Sequence, residues 1–245
     1  MCGLSGPRLT TEAIDVQDDA GGNALSPRRV VFDFDGVFTS VDSTAAWLSP
    51  RLRARPLRVL RCLPWLVGFA TSGRHPRLRT WFTTRLMNAV FAGQRPEQLV
   101  AELRRFGAVV AIDQAFTLPE ALDQVRAHLD QGDAVAIVSA GLEPLLGGWC
   151  EALGLEVRVC ASALRVRGRA LVLADHCFAQ RKVERLEAVG WDDWDLVYTD
   201  SAHDTPLIAR ARETVLVNPS ARTLREARAL GGPVRSVTWR VHAEA

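Results

Sequence analysis

The stretch Arg29-Val30-Val31-Phe32-Asp33-Phe34-Asp35-Gly36-Val37-Phe38-Thr39 decides how this chain is read. An apolar run leaves a basic, proline-containing segment and stops at two carboxylates and a glycine. The run reads as a buried strand with the acids at its C-terminal end. In open α/β sheets that end is where ligands bind. Side chains alternate along a strand, so Asp33 and Asp35 start on the same side. Two acids so placed can divide labour, one attacking and one carrying protons. The competing readings are a calcium loop and a plain solvated turn. An EF-hand loop would need an acid or Asn at Val37 and a Glu near Thr44, between helices, which does not suit a strand exit. A turn stays open on this motif alone, so the rest of the chain has to decide.

Working outward, residues 40–44 are polar. Residues 47–106 then carry many Arg and Trp on apolar ground, with breaks at Pro56, Pro64, Gly73-Arg74-His75-Pro76 and Gly93. This predicts several inserted helices and no sheet. Residues 119–129 form an amphipathic helix with Leu122, Val125 and Leu129 on one face. Residues 134–139 are a second fully apolar strand, followed by Ala140-Gly141 and a helix from Glu143-Pro144. A short strand over 156–159 and a hairpin over 163–173 centred on Gly168 come next. Then follow a helix over 181–189, a strand over 195–199, a last strand over 214–217, and a helix through Arg228. Alternating strands and helices predict an α/β fold with a mostly parallel sheet and helices on both faces. The expected organisation is an arm over 1–27, a core over 28–43 and 113–235, a helical insert over 44–112, and a tail over 236–245.

The bulk numbers bound the function. A chain of 245 residues, 48% hydrophobic and 24% charged, is ordinary for a soluble globular protein. A net charge of +2 is too small to argue for nucleic acid, or by itself for an anionic membrane. Cys2, Cys62, Cys150, Cys160 and Cys177 are scattered and form no C-x-x-C pair, so reduced thiols in a cytoplasm are expected. Residues 1–26 lack the apolar core of a signal peptide. The longest uncharged apolar stretch, over 62–73, falls short of the ~20 residues that span a bilayer. Lys and Arg total 30, yet Lys182 is the only lysine. A basic position without a special demand would be Arg in this chain.

Three apolar strands therefore end in chemically useful residues: Asp33 with Asp35, Ser139, and Asp200. Lys182 lies between the last two, and Asp204 lies one helical turn past Asp200. Alone, Asp204 reads equally as a helix N-cap. Together, the order and the strand-end placement are hard to obtain from packing. Ser201, His203 and Asp204 also invite a hydrolase triad, but residues so close in sequence seldom reach relay geometry, and no G-x-S-x-G elbow is present. His176-Cys177 are adjacent and poorly placed as a chelating pair.

The set resembles the haloacid dehalogenase superfamily of phosphohydrolases. Its D-x-D-x-T/V motif matches residues 33–37, its strand-end Ser or Thr matches Ser139, its Lys matches Lys182, and its D-x-x-x-D matches Asp200 and Asp204. The similarity runs from about residue 28 to 228, apart from the insert, which matches in position and helical character. Residues 139–144, 198–207 and 217–219 narrow it to the phosphoserine-phosphatase-like branch, with a Rossmann-like core and an all-helical (C1-type) cap. The departure is Val37, where most phosphatases of the family carry Thr.

The resemblance implies a Mg²⁺-dependent phosphatase acting on a small phosphorylated substrate through a phosphoaspartate. Asp33 is the implied nucleophile and Asp35 the proton carrier. The implied metal set is Asp33, Asp35 through its main-chain carbonyl, Asp200, and Asp204 in support. Ser139, Ala140 and Gly141 are the implied phosphate cradle, and Lys182 the neutralising charge. Four carboxylates meeting at such a site would need a hard cation, since each pair at 4 Å repels by ~4 kcal/mol at an effective dielectric of 20. A compact ammonium and a planar guanidinium are not interchangeable there, which gives the single lysine a reason. Asp42 falls where phosphoserine phosphatases hold the substrate amine; a helix cap is an equal reading. Arg51, Arg53, Arg55, Arg58 and Arg61, ahead of the apolar residues 63–69, read either as a solvated face or as a surface for an anionic membrane. A lipid-phosphate phosphatase of the same branch, resembling phosphatidylglycerophosphatases, is thus the alternative. A non-catalytic phospho-ligand-binding module is the rival from another class.

Overall fold

The computed structural model describes residues 27–54, 56–73 and 75–241. All of the expected N-terminal arm except Pro27, and Cys2 with it, lies outside them. The first strand, β1 (Arg29–Phe32), is the centre of the molecule. Val30, Val31 and Phe32 are fully buried, with Val30 and Phe32 in one apolar core and Val31 in the other. Alternation thus serves both faces of one sheet, as expected for a strand covered on both sides.

Four helices follow: α1 (Ser43–Arg53), α2 (Pro56–Thr71), α3 (Pro76–Phe91) and α4 (Pro96–Ile112). Asp42 starts α1 by accepting a hydrogen bond from the Ala45 N–H at 2.7 Å. Proline opens α3 and α4, where its missing N–H costs nothing. The expected break at Pro64 does not occur, because α2 runs through it. Pro64 lies on the exposed side, where water can take the carbonyl its missing N–H leaves free.

The rest alternates. It comprises α5 (Pro119–Asp130), β2 (Ala134–Leu142), α6 (Glu143–Leu153), β3 (Arg158–Arg167), β4 (Ala170–Asp175), α7 (Gln180–Glu187), β5 (Trp194–Thr199), α8 (Thr205–Ile208), β6 (Ala211–Val217), α9 (Ala221–Arg228) and β7 (Val234–Val237). Among the described residues these strands form a seven-stranded sheet in the order β4-β3-β2-β1-β5-β6-β7. All neighbours are parallel except β3 and β4. The separate strands expected over 156–159 and from 163 are one strand, β3, which keeps to β2 across a register shift between Val138 and Leu142. β7 was not expected, and it straddles the expected boundary between core and tail at 235/236. It is short and its residues are half to fully exposed, so it carries no apolar run to announce it.

β2 lies on one side of β1 and β5 on the other, which makes β1 the topological switch point of the sheet. The insert is pinned to the core by α4 against α6. A Cβ on Gly107 would lie 1.9 Å from the Leu145 carbonyl oxygen, and one on Gly148 would lie 2.1 Å from that of Arg104. No described helix is long and apolar enough to cross a membrane.

Candidate active site

Asp33 leaves the sheet where β1 ends. Its N–H donates to the Tyr198 carbonyl of β5 at 2.8 Å, so the strand pairing fixes its position. Its carboxylate accepts the Phe34 N–H at 2.7 Å. Gly36 then takes φ +82, which turns the chain sharply, and donates to the Thr39 carbonyl at 2.8 Å. The same glycine lets the backbone meet Asp200, since a Cβ there would lie 2.3 Å from Oδ2 of that acid. The turn folds Asp35 back over the sheet edge. Its carboxylate accepts the Ser43 N–H at 2.8 Å and the Thr39 hydroxyl at 3.3 Å.

Lys182 enters from α7 and is buried between two acids. Its Nζ lies 2.8 Å from Oδ1 of Asp33, 2.8 Å from Oδ1 of Asp204, and 2.9 Å from Oδ2 of Asp204. Thr199 donates to Asp204 at 2.8 Å, so both Asp204 oxygens are engaged. Asp33, Asp35, Asp42, Ser139, Ala140, Lys182, Asp200 and Asp204 all line one pocket of about 290 Å³ at the C-terminal ends of β1, β2 and β5. Gly141 stands one step behind: its N–H donates to the Ser139 hydroxyl at 2.9 Å, and it faces the adjoining chamber. The helix expected from Glu143-Pro144 is α6, and β2 runs on to Leu142, three residues past its expected end. Phe178 and His203 also line the pocket, and the motifs did not single out either for it. Ser43 and Thr199 were likewise missed. Their signal was adjacency: each stands beside a site acid, Asp42 or Asp200.

The charges are strained in a consistent direction. Burial, then the Asp204 charge, pushes Asp33 well above the usual carboxylate range, against the pull of Lys182. Burial works against an ionised Asp204 too, but Lys182 and the hydrogen bonds it receives hold it below that range. Burial also opposes the Lys182 charge, and Asp204 and Asp33 overcome it, so the ammonium is held well above its ordinary value. In this triad Asp204 and Lys182 are the settled pair, and Asp33 is the group that gives. Asp35 is raised to about 6 by burial and by Asp42, against the Ser43 N–H. Asp200 is raised to about 6 by burial and by Asp204.

Three carboxylates held toward neutrality in an oxygen-rich pocket fit a hard divalent cation, which would lower all three. Among the described residues no three Asp, Glu, His or Cys side chains converge as a metal cage. The reason is visible: Asp204 is turned to Lys182 and Asp35 to Ser43. That leaves Asp33 and Asp200, and Mg²⁺ is ordinarily held by one or two carboxylates with waters and phosphate oxygens.

The model of the haloacid dehalogenase-like hydrolase family matches residues 30–209, a span that runs from β1 past Asp204. The chain belongs to the haloacid dehalogenase-like hydrolases. This hydrolase is 27% identical over 195 residues to Protein CicA of Caulobacter vibrioides NA1000, covering 76% of this chain and 84% of that protein. A protein of unknown function from Bordetella pertussis Tohama I has a similar crystal structure, with a TM-score of 0.65 and 25% identity over 85% of this chain and 98% of that one. A phosphoserine phosphatase captured as a phospho-aspartyl intermediate analogue shares the fold, with a TM-score of 0.55 and 14% identity over 86% of this chain and 93% of that one.

Proposed function

We propose that this hydrolase is a Mg²⁺-dependent phosphomonoesterase that works through a phosphoaspartate on Asp33. The observation that carries the reading is the buried ladder Asp33–Lys182–Asp204 at the switch point, with Asp35 beside it. Asp33 attacks phosphorus while the bond from phosphorus to the alcohol oxygen breaks, and Asp35 gives that oxygen its proton. A carboxyl raised to about 6 suits a proton carrier near neutrality. Asp35 then takes a proton from the water that cleaves the phosphoaspartate, releasing inorganic phosphate. Lys182 offsets the charge of Asp33 and of the phosphoryl group, and Ser139 and Ala140 cradle its oxygens. Mg²⁺, held by Asp33, Asp200 and the main-chain carbonyl of Asp35, would supply charge neutralisation at the phosphoryl oxygens. We assign residues 28–43 and 113–235 to the catalytic core and 44–112 to a cap over it. The buried thiols Cys62, Cys150, Cys160 and Cys177 suit a reducing cytoplasm. The test is hydrolysis of a generic phosphate ester with and without Mg²⁺, in the native protein and in Asp33→Asn. Turnover that survives the substitution removes Asp33 as nucleophile, and a native protein without turnover leaves a phospho-ligand-binding module.

A second reading places the same chemistry at an anionic membrane surface. On α2, Leu60, Leu63 and Val67 are 66%, 49% and 54% exposed at helical spacing, and Trp81 on α3 is 46% exposed. Trp65 and Trp81 touch with ring centroids 5.6 Å apart, so the exposed stripes adjoin. Arg77 and Arg85 lie beside Trp81 in a groove that Arg165 and Arg167 also line. Sedimentation with anionic vesicles, at low and high salt, tests it.

A further inference from the structure

A second chamber, of about 320 Å³, opens from the catalytic pocket into the helices of the insert. The two share Asp35, Asp42, Ala140 and Phe178. Its outer wall is Leu48 and Leu52 of α1, Leu66 and Phe69 of α2, and Leu86 and Met87 of α3. We infer that this chamber receives the leaving group, and that the leaving group is an apolar alcohol, aliphatic or aromatic. The inference rests on the phosphatase reading above and adds the substrate class to it.

Position is the first ground. The acid assigned to protonate the leaving oxygen, Asp35, is part of the shared wall, so the alcohol departs into this chamber. The second ground is wall chemistry. Most polar groups in it are already occupied. The Asp42 carboxylate caps α1, the Ser49 hydroxyl donates to the Ala45 carbonyl at 2.7 Å, and His176 Nδ1 lies 3.2 Å from the Thr80 hydroxyl. Arg79 lies over the Phe69 ring, 4.3 Å from its centroid. The Thr44 hydroxyl is buried and has no hydrogen-bond partner among the described residues. A sugar or other polyol would bring several hydroxyls and find few partners, and each one left unsatisfied carries a penalty. An apolar body releases water from six apolar side chains and leaves Thr44, Thr83 and Arg79 for a small polar substituent.

The experiment is a homologous series of n-alkyl phosphates from ethyl to octyl, assayed with Mg²⁺ against O-phosphoserine and acetyl phosphate. Each methylene that moves from water into the chamber should raise kcat/KM about threefold to fourfold until the chamber is full. Filling it with Leu66→Trp should flatten that slope, read as the hexyl-to-ethyl ratio so that overall activity does not matter. Leu52→Phe serves if the first variant does not fold. Binding of hexylphosphonate against methylphosphonate, by calorimetry, reads the chamber without turnover. Hydrolysis with a flat or falling slope, or preference for phosphoserine, overturns the chamber assignment and leaves the phosphatase reading intact. Tighter hexylphosphonate binding with no hydrolysis does the reverse. Turnover of dissolved hexyl phosphate assigns a soluble source, and turnover confined to phosphatidate in vesicles assigns a bilayer source; both keep the apolar leaving group.

Discussion

Lys182 sets the charge balance of the site. It is the only lysine in a chain with 30 basic residues, and it is buried with three contacts of 2.8–2.9 Å to Asp33 and Asp204. Removing the cation of such a group strands both acids, at a cost of about 3–5 kcal/mol. Lys182→Met should therefore lower kcat by at least ~10²-fold and the melting temperature with it. Adding Asp204→Asn to that variant should restore stability but not activity, because it removes one stranded carboxylate without replacing the cation. Lys182→Arg should also lose activity, by about tenfold or more, since a wide fork cannot occupy a position closed around a point charge. Full activity in Lys182→Arg would refute that argument. Asp33→Asn should reduce kcat by on the order of 10³ or more while metal-free stability at neutral pH holds or rises, because burial already disfavours the Asp33 charge. These acids were legible in the sequence because a carboxylate ending an apolar run is conspicuous. Phe178 and Arg79 were not, because they reach the pocket and its adjoining chamber from segments whose path only the fold determines; His203 drew notice only as a triad candidate.

At the scale of elements, the joint between α4 and α6 couples the insert to the strand that carries Ser139. The glycines at that joint have main-chain oxygens where a Cβ would stand, 1.9 Å away for Gly107 and 2.1 Å for Gly148. Backbone cannot yield as a flexible side chain does, so Gly107→Ala should destabilise by about 1–3 kcal/mol, or roughly 2–4 °C per kcal/mol in a thermal melt of a chain this size. Gly147→Ala, on α6 beside Gly148, is the control from the other helix of the joint. Its Cβ would meet only the end of the Arg104 side chain at 3.7 Å, so helix propensity should make it neutral or stabilising by up to ~1 kcal/mol. Equal losses in the two variants would mean that the joint is looser than its glycines imply. Such packing is invisible in sequence, where all three glycines look alike. The alternating elements were legible because β1, β2 and β5 are apolar runs bounded by polar residues. β7 was not, since Arg235 and Ser236 interrupt it, and the continuity of β3 depends on a register shift that no local pattern encodes.

For the whole molecule, the proposed function has protons and a divalent cation competing for the same carboxylates, and global stability should report it. Asp35 and Asp200 titrate near 6 in the folded protein against an ordinary 3.8. A raised carboxyl pKa favours folding fully below the unfolded value, about 4, and that contribution is lost as pH rises through about 6. The two histidines near the site act in the opposite direction. Burial, with Arg79 nearby, lowers His176 to about 4 and also lowers His203, so their contribution is lost as pH falls below about 6.5. The raw dependence of melting temperature on pH mixes these terms, but the increment produced by Mg²⁺ isolates the carboxylates. A cation that binds the folded, ionised site stabilises by RT ln(1 + c/Kd) at free Mg²⁺ concentration c, and protonated carboxyls raise that Kd. Adding Mg²⁺ should raise the melting temperature more at pH 7.5 than at pH 5. Asp200→Asn should shrink the increment at both pH values and stabilise the metal-free protein at pH 7.5, where the buried charge it removes is otherwise present. An increment independent of pH, or one that survives Asp200→Asn unchanged, would place the cation somewhere other than between β1 and β5.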